Sequence, residues 1–348
     1  MTTKQKVLEI LSQNKERAVS GEKLAGECGV SRAAIWKAVK ALRDEGCSVM
    51  GTTNGGYVLS GTADVLCEQT IISEFSKKYP EIKDVKCECF KEIDSTNTYA
   101  KKLLAGAGAL RNSSGELTES GKKYHKYIVV AESQTAGRGR LGRTFYSPSK
   151  SGVYLTAIYA PAGGITDPAK ITVLAAAAVV RALKKLFPFV DPKIKWINDI
   201  FINGKKVCGI LTEGSANFET GIIEAAVIGI GVNIFDNSDC FPAEVQKVAG
   251  SVIGKSDKND ISRAEVAACI AGELLCIMKE DFLKVLSEYK AASFLIGQNI
   301  KVHPVIGDDR SVYDAKVLDI DEKAALVVQL SDGSVRALNS GEVSLHSN

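Results

Sequence analysis

The stretch Gly137-Arg-Gly-Arg-Leu-Gly-Arg143 follows a strand-like apolar run at Lys126–Ala131. It satisfies the pattern G-x-G-x-x-G, so dinucleotide binding has to be considered. That fingerprint needs a helix directly after the glycines and an acidic residue about 20 residues further on. Here the chain continues through Pro148 into another strand-like run, and no acidic residue closes a βαβ unit. The sequence therefore argues against a Rossmann dinucleotide site.

The same loop has the composition of an anion-binding loop. Arg138, Arg140 and Arg143 alternate with Gly137 and Gly139, and a further glycine precedes the last arginine. Guanidinium forks and the backbone N–H groups of a flexible loop together suit a phosphate. A solvated surface loop is the alternative interpretation. The density of Gly and Arg directly after a buried strand favours contact with a phosphate or an adenylate.

Other polar motifs stand at the ends of predicted strands. Lys195-Trp-Ile-Asn198-Asp199 could hold a carboxylate or phosphate on its lysine, and a metal or an amine on its aspartate. A plain surface turn is the alternative. Ser95-Thr96-Asn97 lies at a strand-to-helix junction, where N-capping explains only one of the three residues. Gly229-Ile-Gly-Val-Asn233 ends a strand with glycines, so a ligand could lie against the backbone.

Composition excludes several classes of protein. The 348 residues include 45% hydrophobic and 24% charged residues, which is typical of a globular protein. Only three histidines occur, all outside these motifs, so Ser-His-Asp, Cys-His and Cys/His metal chemistry are not expected. Nine scattered cysteines without C-x-x-C predict reduced thiols in a cytoplasmic protein. Neither a membrane span nor a signal-peptide core is predicted.

The first 62 residues predict a winged helix-turn-helix. They contain nine Lys/Arg and six Asp/Glu, whereas the other residues carry no net charge. A third helix, Ser31–Asp44, has an apolar face and a basic face, and Asn54-Gly55 predicts a turn between two short strands. The third helix would enter a DNA major groove. A solvated basic face and a protein-binding module remain open alternatives.

The rest of the chain predicts two further units. Strand-like runs between Cys87 and Ala292, two of them joined by Asn203-Gly204, favour a mixed or antiparallel sheet. Residues 106–123 are predicted to form a mobile surface excursion. About 50 C-terminal residues with four short strands suggest a small SH3-like barrel. The predicted domains are a winged helix-turn-helix at 1–62, a linker with a short helix at 63–85, a catalytic domain at 86–292 and a C-terminal domain at 293–348.

Over essentially the whole chain, the sequence resembles the biotin–protein ligase family, in particular its bifunctional class that is also the biotin operon repressor. The motifs that carry this resemblance are, in chain order, Ser95-Thr96-Asn97, Gln134, Gly137-Arg-Gly-Arg-Leu-Gly-Arg143, Lys195-Trp-Ile-Asn-Asp199, Lys206-Val-Cys-Gly-Ile-Leu-Thr-Glu213 and Gly229-Ile-Gly-Val-Asn233. The pair G-R-G-R-x-G-R and K-W-x-N-D is the most specific part, although Ile197 replaces the usual proline. The resemblance implies a multidomain α+β protein whose central domain is of the class II aminoacyl-tRNA synthetase-like type.

The resemblance also implies roles for individual residues. The implied catalytic residues are Lys195, Arg140 and Asp199. The implied biotin-binding residues are Ser95, Thr96, Asn97, Gln134, Arg138, Gly139, Arg140, Lys195 and Gly209. The implied ATP- or adenylate-binding residues are Gly137, Arg138, Arg140, Arg143, Asn198 and Asn233. The implied DNA-binding residues are Ser31, Arg32, Trp36, Lys37, Lys40 and Arg43. No resident metal site is implied.

The reaction implied by the resemblance uses biotin, ATP and Mg²⁺ to make biotinyl-5′-AMP, and then biotinylates a lysine of a biotin carboxyl carrier protein. Biotinyl-AMP would also promote a homodimer that binds operator DNA. A monofunctional ligase whose N-terminal module no longer binds DNA is the main alternative. A transcription factor that only senses biotin does not need the phosphate-binding residues, and a lipoate ligase would need neither the full Gly/Arg loop nor the winged helix.

Overall fold

The computed structural model describes residues 2–14, 17–44, 47, 49–52, 55–59, 64–217, 221–254, 260–304 and 311–345. The N-terminal unit contains three helices followed by two antiparallel strands. Its elements are α1 Thr3–Gln13, α2 Gly21–Cys28, α3 Arg32–Asp44, β1 Val49–Thr52 and β2 Gly56–Leu59.

The predicted third helix is confirmed in position and in facing. The Ser31 hydroxyl accepts a hydrogen bond from the Ala34 N–H at 3.3 Å, as expected of an N-cap. The apolar stripe of α3 is buried at Ile35, Ala38, Val39 and Leu42. This stripe belongs to a small hydrophobic core of the N-terminal unit. The strands of the predicted wing are present, and Asn54 of its predicted turn lies outside the described residues.

The central unit is a seven-stranded mixed sheet with helices on both faces, in the order β3-β4-β5-β9-β8-β7-β6. Only β3 and β4 are parallel among the described strands. Its strands are β3 Lys86–Phe90, β4 Tyr127–Ala131, β5 Gly152–Tyr159, β6 Lys193–Lys195, β7 Asp199–Ile202, β8 Lys205–Ala216 and β9 Ile223–Asn233. Its helices are α4 Glu68–Lys78, α5 Thr96–Ala105, α6 Glu119–Tyr124, α7 Pro168–Leu186, α8 Ala243–Val248, α9 Arg263–Ile277 and α10 Phe282–Ala292.

Alternation along the strands explains the two layers of helices. Val130 and Leu155 point into the larger core with α7 and α9, whereas Val129 and Ile158 point into the smaller core with α5. Both faces are covered, so β4, β5 and β9 are apolar almost throughout. The predicted mixed sheet is therefore confirmed. The turn between β7 and β8 has positive φ at Asn203 and Gly204, as the Asn-Gly pair predicts.

Two segments differ from their sequence interpretation. The short helix expected within residues 63–85 is present as α4, but its Ile71 and Phe75 are buried in the central core. Residues 106–123 are not simply a surface excursion, because Leu110, Arg111 and Gly121 are buried and α6 begins within the segment. Sequence reasoning missed this packing because Gly, Ser and charged residues dominate the composition there.

The C-terminal unit is a five-stranded, all-antiparallel sheet in the order β13-β12-β11-β10-β14. Four of its strands were predicted, and the last was not. The strands are β10 Asn299–His303, β11 Tyr313–Ile320, β12 Leu326–Leu330, β13 Val335–Leu338 and β14 Glu342–Leu345. Its core is continuous with that of the central unit. In the ranges that the structure describes, no helix is both long and apolar enough to cross a bilayer.

Candidate active site

A pocket lies over the glycines of β8 and β9 and beside the Gly137–Arg143 loop. Gly341, Glu342 and Val343, at and around the start of β14, line one side of it. The pocket therefore gathers residues that are far apart in the sequence. The predicted ligand residues that line it are Ser95, Thr96, Asn97, Gln134, Arg138, Gly139, Arg140, Arg143, Lys195, Asn198, Asp199 and Gly209.

A network of small polar side chains lines one end of this pocket. The N–H and hydroxyl of Thr96 donate to the Gln134 Oε1 at 2.9 and 3.1 Å. The Gln134 Nε2 donates to the Ser147 hydroxyl at 2.8 Å. The orientation of this amide is fixed by the Thr96 N–H, which can only donate and therefore requires the oxygen on its side. The Thr156 hydroxyl lies 2.8 Å from that of Thr96 and 2.6 Å from the Asn97 Oδ1. These bonds hold several donors and acceptors in place for a polar ligand.

Ser95 is the N-cap of α5 at the same end of the pocket. Its side chain caps the helix by accepting a hydrogen bond from the Thr98 N–H at 3.4 Å. Ser95, Thr96 and Asn97 are almost fully buried, so each polar atom needs a partner within the protein or from a ligand. The sequence argument that three such residues exceed what a cap requires agrees with this geometry.

Glu213, on β8, accepts a hydrogen bond from the Asn97 amide. The Asn97 Nδ2 donates to the Glu213 Oε2 at 2.9 Å and to the Leu211 carbonyl at 3.2 Å. The Glu213 Oε1 accepts from the Lys101 ammonium at 2.7 Å, and Arg138 lies 3.8 Å away. Burial raises the pKa of this carboxyl, but the hydrogen bonds from Lys101 and Asn97 lower it by more. Glu213 is therefore ionised at neutral pH.

The Gly/Arg loop is a folded-back hairpin. The Gly139 N–H donates to the Arg143 carbonyl at 2.7 Å, and the Phe145 N–H donates to that of Gly137 at 2.9 Å. Gly137, which is predicted as an adenylate residue, is not among the residues that line the pocket. A Cβ at this position would collide with the Phe145 carbonyl and approach Ser147. This glycine is required by the close approach of the two loop strands.

Arg140 and Arg143 connect the loop to neighbouring elements. The Arg140 Nη1 donates to the Asn198 Oδ1 at 2.9 Å, and its Nη2 reaches the Gly341 carbonyl at 3.5 Å. Arg143 makes a bidentate pair with the Glu342 carboxylate. Burial raises the pKa of Glu342, but Arg143 and Lys195 lower it by more. The C-terminal unit thus supplies an acidic partner for the loop, 199 residues beyond Arg143.

Lys195 ends β6 with its ammonium at the pocket. Burial lowers the pKa of Lys195, although the carboxylates of Asp199 and Glu342 attract its proton. Both acids are engaged elsewhere, Glu342 with Arg143 and Asp199 with Lys206. The half-buried Lys195 charge therefore remains available to an anionic group of a ligand.

Asp199 forms an ion pair with Lys206 across the β7–β8 hairpin, with 2.7 Å between Nζ and Oδ1. Lys206 also lines the pocket and was not among the predicted site residues. No group of three or more acidic, Cys or His side chains suited to a metal occurs in the described part of the chain. Asp199 is a counter-ion here, which weakens the prediction that it binds a metal or an incoming amine.

Glycines on β8 and β9 make room at the pocket floor. The Phe145 ring occupies the space that a Cβ would need on Gly231, and it lies 3.0 Å from a Cβ built on Gly209. A Cβ on Gly229 would collide with the Asn97 Oδ1. The strand glycines therefore allow side chains and a ligand to lie directly against the sheet.

We expect Gly229→Ala to weaken the binding of biotin, the ligand that the sequence resemblance implies, by about 10- to 100-fold, because the added methyl group displaces Asn97 in a packed site. Isothermal titration with biotin measures the effect. Gly214→Ala is the matched control on β8, since its Cβ would meet only the flexible Ile223 side chain at 3.2 Å. Equal losses of biotin affinity in the two variants would contradict a specific role for Gly229 at the pocket floor.

Asn233, predicted as an adenylate residue, also lies outside the pocket. Its Nδ2 donates to the Gly250 carbonyl at 3.0 Å, and its buried Oδ1 has no hydrogen-bond partner within the described ranges. The residues that the predictions missed are Phe145, Lys206, Glu213 and Glu342. Lys206 and Glu213 delimit the K-V-C-G-I-L-T-E motif, so that signal was present. Nothing in the sequence brings Glu342 to the loop.

The predicted DNA-binding face on α3 is exposed at Arg32, Trp36, Lys37 and Lys40. The Lys40 ammonium lies 5.7 Å from the centre of the Trp36 ring. Arg43 is also exposed, and its Nε donates to the Val49 carbonyl at 2.7 Å, which connects the helix to β1. Ser31 likewise uses its hydroxyl as the helix cap.

Three family models match the chain in the order of its units. The HTH domain matches residues 3–58, the Biotin/lipoate A/B protein ligase family matches residues 90–233, and the Biotin protein ligase C terminal domain matches residues 295–346. The bifunctional ligase/repressor BirA of Bacillus spizizenii is 31% identical over 99% of both chains. The chain belongs to the biotin protein ligase family.

Other relatives fit the same family. The bifunctional ligase/repressor BirA of Escherichia coli is 28% identical over 94% of this chain and 93% of its own. A biotin--[acetyl-CoA-carboxylase] ligase of Paracoccus denitrificans is 28% identical over 68% of this chain and 91% of its own. The biotin protein ligase of Aquifex aeolicus, solved with biotin and ATP, shares the fold with a TM-score of 0.58, covering 76% of this chain and 99% of that one at 23% identity.

Proposed function

We propose that this member of the biotin protein ligase family is a bifunctional ligase and biotin-responsive repressor. In the first step a biotin carboxylate oxygen attacks the α-phosphorus of ATP, which gives biotinyl-5′-AMP and releases pyrophosphate. In the second step the neutral ε-amine of a carrier-protein lysine attacks the acyl carbon and releases AMP. The observation that carries this proposal is the 99% coverage by a bifunctional relative, together with a pocket that gathers the two family motifs.

The pocket supports a division of roles. Thr96, Asn97 and Gln134 would bind the ureido head of biotin. Lys195 would bind the biotin carboxylate and then the α-phosphate, where its charge stabilises the transition state. Arg140, in the Gly/Arg loop, would help to retain the adenylate. Positioning and charge stabilisation are sufficient for this chemistry, since neither step needs a covalent enzyme intermediate.

We propose that Mg²⁺ enters with ATP. Mg²⁺ is commonly held by substrate phosphates, waters and one or two carboxylates. The carboxylates at this pocket, Asp199 and Glu342, are paired with Lys206 and Arg143. These residues therefore do not form a preorganised Mg²⁺ site, and no step of the proposed reaction depends on Mg²⁺ bound by the protein alone.

The remaining architecture and partners are also proposals. We propose the class II synthetase-like type for the central unit, because a mixed sheet with helices on both faces carries the site. The five-stranded C-terminal unit fits an SH3-like barrel. We propose domains at 1–62, 86–292 and 293–348, with α4 of the predicted linker 63–85 packed as part of the central unit. The carrier domain of a carboxylase and operator DNA would be the partners, with a homodimer promoted by biotinyl-AMP. The cytoplasmic location stays a prediction.

The ligase reaction is tested by following pyrophosphate release with ATP, Mg²⁺ and biotin. Release that requires biotin and does not occur with lipoate supports the proposal over a lipoate ligase. Transfer is then measured by avidin blotting of a biotin carboxyl carrier domain. A folded protein that binds biotin without releasing pyrophosphate would instead be a biotin-sensing transcription factor.

We expect Arg32→Ala to lower operator affinity by about tenfold or more and to reduce the salt dependence of binding. The exposed Arg32 stands at the start of α3, the helix that would enter the major groove. The measurement is a binding titration at several salt concentrations, with a duplex selected by the wild-type protein from a random pool in the presence of biotin and ATP. Lys77→Ala is the control, because it removes one exposed positive charge on α4, outside the helix-turn-helix, and should leave operator affinity unchanged. Failure to select any duplex would favour the monofunctional ligase.

A further inference from the structure

Glu213 lies next to the ureido end of the pocket and connects three of its features. Its Oε2 accepts a hydrogen bond from the Asn97 amide, its Oε1 accepts one from Lys101, and the guanidinium of Arg138 lies 3.8 Å from the same oxygen. The Glu213 side chain is only 21% exposed. A carboxylate so enclosed needs its hydrogen-bond partners, and it constrains them in turn.

The orientation of the Asn97 amide follows from these bonds. Both Nδ2 hydrogens are directed at oxygen acceptors, one on Glu213 and one on the Leu211 carbonyl. A half-turn of the amide would place Oδ1 against the same two acceptors, one of them negatively charged. The amide oxygen must therefore face the opposite side, where the Thr156 hydroxyl lies at 2.6 Å. Oδ1 has two lone pairs, so one of them is available to a donor in the pocket.

We propose that Glu213 is the positioning residue that makes Asn97 an obligate hydrogen-bond acceptor for a ligand head carrying N–H groups. This inference rests on the proposed function and identifies how the pocket selects a ureido ring. A ureido ring carries two N–H donors, whereas the dithiolane ring of lipoate carries none. A ligand without N–H groups would bury the second lone pair of the Asn97 Oδ1 without a donor, which disfavours that ligand.

The test is a double-mutant cycle on biotin affinity, measured by isothermal titration with the full chain. Glu213→Ala is expected to raise the Kd for biotin by about 10- to 100-fold, because a hydrogen bond to a charged group is lost beside a buried amide. In the Asn97→Ala background the same Glu213 change is expected to alter the Kd by less than about twofold. A residue that only supports the local packing would weaken binding in both backgrounds.

Two further variants separate orientation from charge. Glu213→Gln retains an oxygen acceptor for the Asn97 amide, so biotin affinity should return to within about threefold of that of the native protein. Lys101→Met removes the other partner of Glu213 and leaves the bond to Asn97 in place. It should change the Kd for biotin little. Melting temperatures of all variants establish that they fold, and Glu213→Gln remains informative where Glu213→Ala does not fold.

The possible outcomes distinguish a failure of the positioning role of Glu213 from a failure of the proposed function. A wild-type protein that does not bind biotin overturns the proposed function itself. Biotin binding in the wild type combined with equal losses from Glu213→Ala in both backgrounds overturns the positioning role. A loss in Glu213→Gln as large as that in Glu213→Ala, with a matching loss in Lys101→Met, would show that Glu213 acts through its charge on Lys101 and Arg138 instead.

Discussion

Lys195→Met is expected to slow biotin-dependent pyrophosphate release by about 100- to 1000-fold, the usual cost of removing one preorganised charge from a transition state. Methionine retains most of the volume of the side chain and removes only its charge. The effect should be large because neither acid that attracts Lys195 forms an ion pair with it. Its charge is therefore available to the reacting carboxylate and phosphate.

The matched control is Lys193→Met. Lys193 lies on the same short strand, but its ammonium pairs with Asp191 at 2.9 Å on the protein surface. Pyrophosphate release should stay within about twofold of the native rate, since exposed pairs contribute little. Similar rates for Lys195→Met and the native protein in single-turnover experiments would remove Lys195 from the chemistry.

The pH dependence of adenylation gives a second readout of Lys195. Only the protonated ammonium stabilises the transition state, and burial lowers the pKa of this lysine. As the pH rises, the rate of adenylation should therefore begin to fall at a pH below 10.5, the ordinary pKa of a lysine. Lys195→Arg should move that decline to higher pH, because a guanidinium stays protonated throughout. A decline unchanged by this substitution would assign it to another group.

The parts of the site that lie close in sequence could be predicted, and the contacts between units could not. Ser95-Thr96-Asn97 and the Gly/Arg loop follow the ends of β3 and β4, which are parallel, so both lie at the same edge of the sheet. Lys195 ends the short strand β6, and the register of β6 to β9 places it in one row with Asp199, Gly209 and Gly231. The C-terminal strand that carries Glu342 follows a turn of ordinary composition. Its approach to Arg143 depends on how two cores pack together, and no local pattern encodes that packing.

The same limit explains why the sequence predicts a linker at residues 63–85, where the structure has a packed helix. Its helix α4 has an amphipathic pattern that fits either a surface helix or a buried one. The structure packs it against α9, where the Tyr79 hydroxyl donates to the Glu273 carboxylate at 2.8 Å. Periodicity indicates which face of a helix is apolar, but it does not indicate what covers that face.

Arg263→Met is expected to lower the free energy of unfolding by about 3–5 kcal/mol, the range found when one partner of a buried ionic group is removed. The Arg263 side chain is 3% exposed, and its guanidinium pairs with Asp64 and, at 2.8 Å, with Glu132. Its backbone N–H also donates to the Asp64 carboxylate at 2.7 Å. Without the guanidinium, two partly buried carboxylates face each other with no cation between them.

Urea denaturation followed by circular dichroism measures this change. Because Asp64 lies four residues before the start of α4 and Glu132 directly follows β4, the loss should appear in the transition of the central unit rather than in that of the N-terminal unit. Lys301→Met is the exposed control, since its pair with Asp314 lies on the surface and should leave the midpoint unchanged. Restoration of stability by the added changes Asp64→Asn and Glu132→Gln would identify unpaired charge as the cause. A loss of stability that persists in the triple variant would show that Arg263, the buried first residue of α9, acts through packing instead of charge.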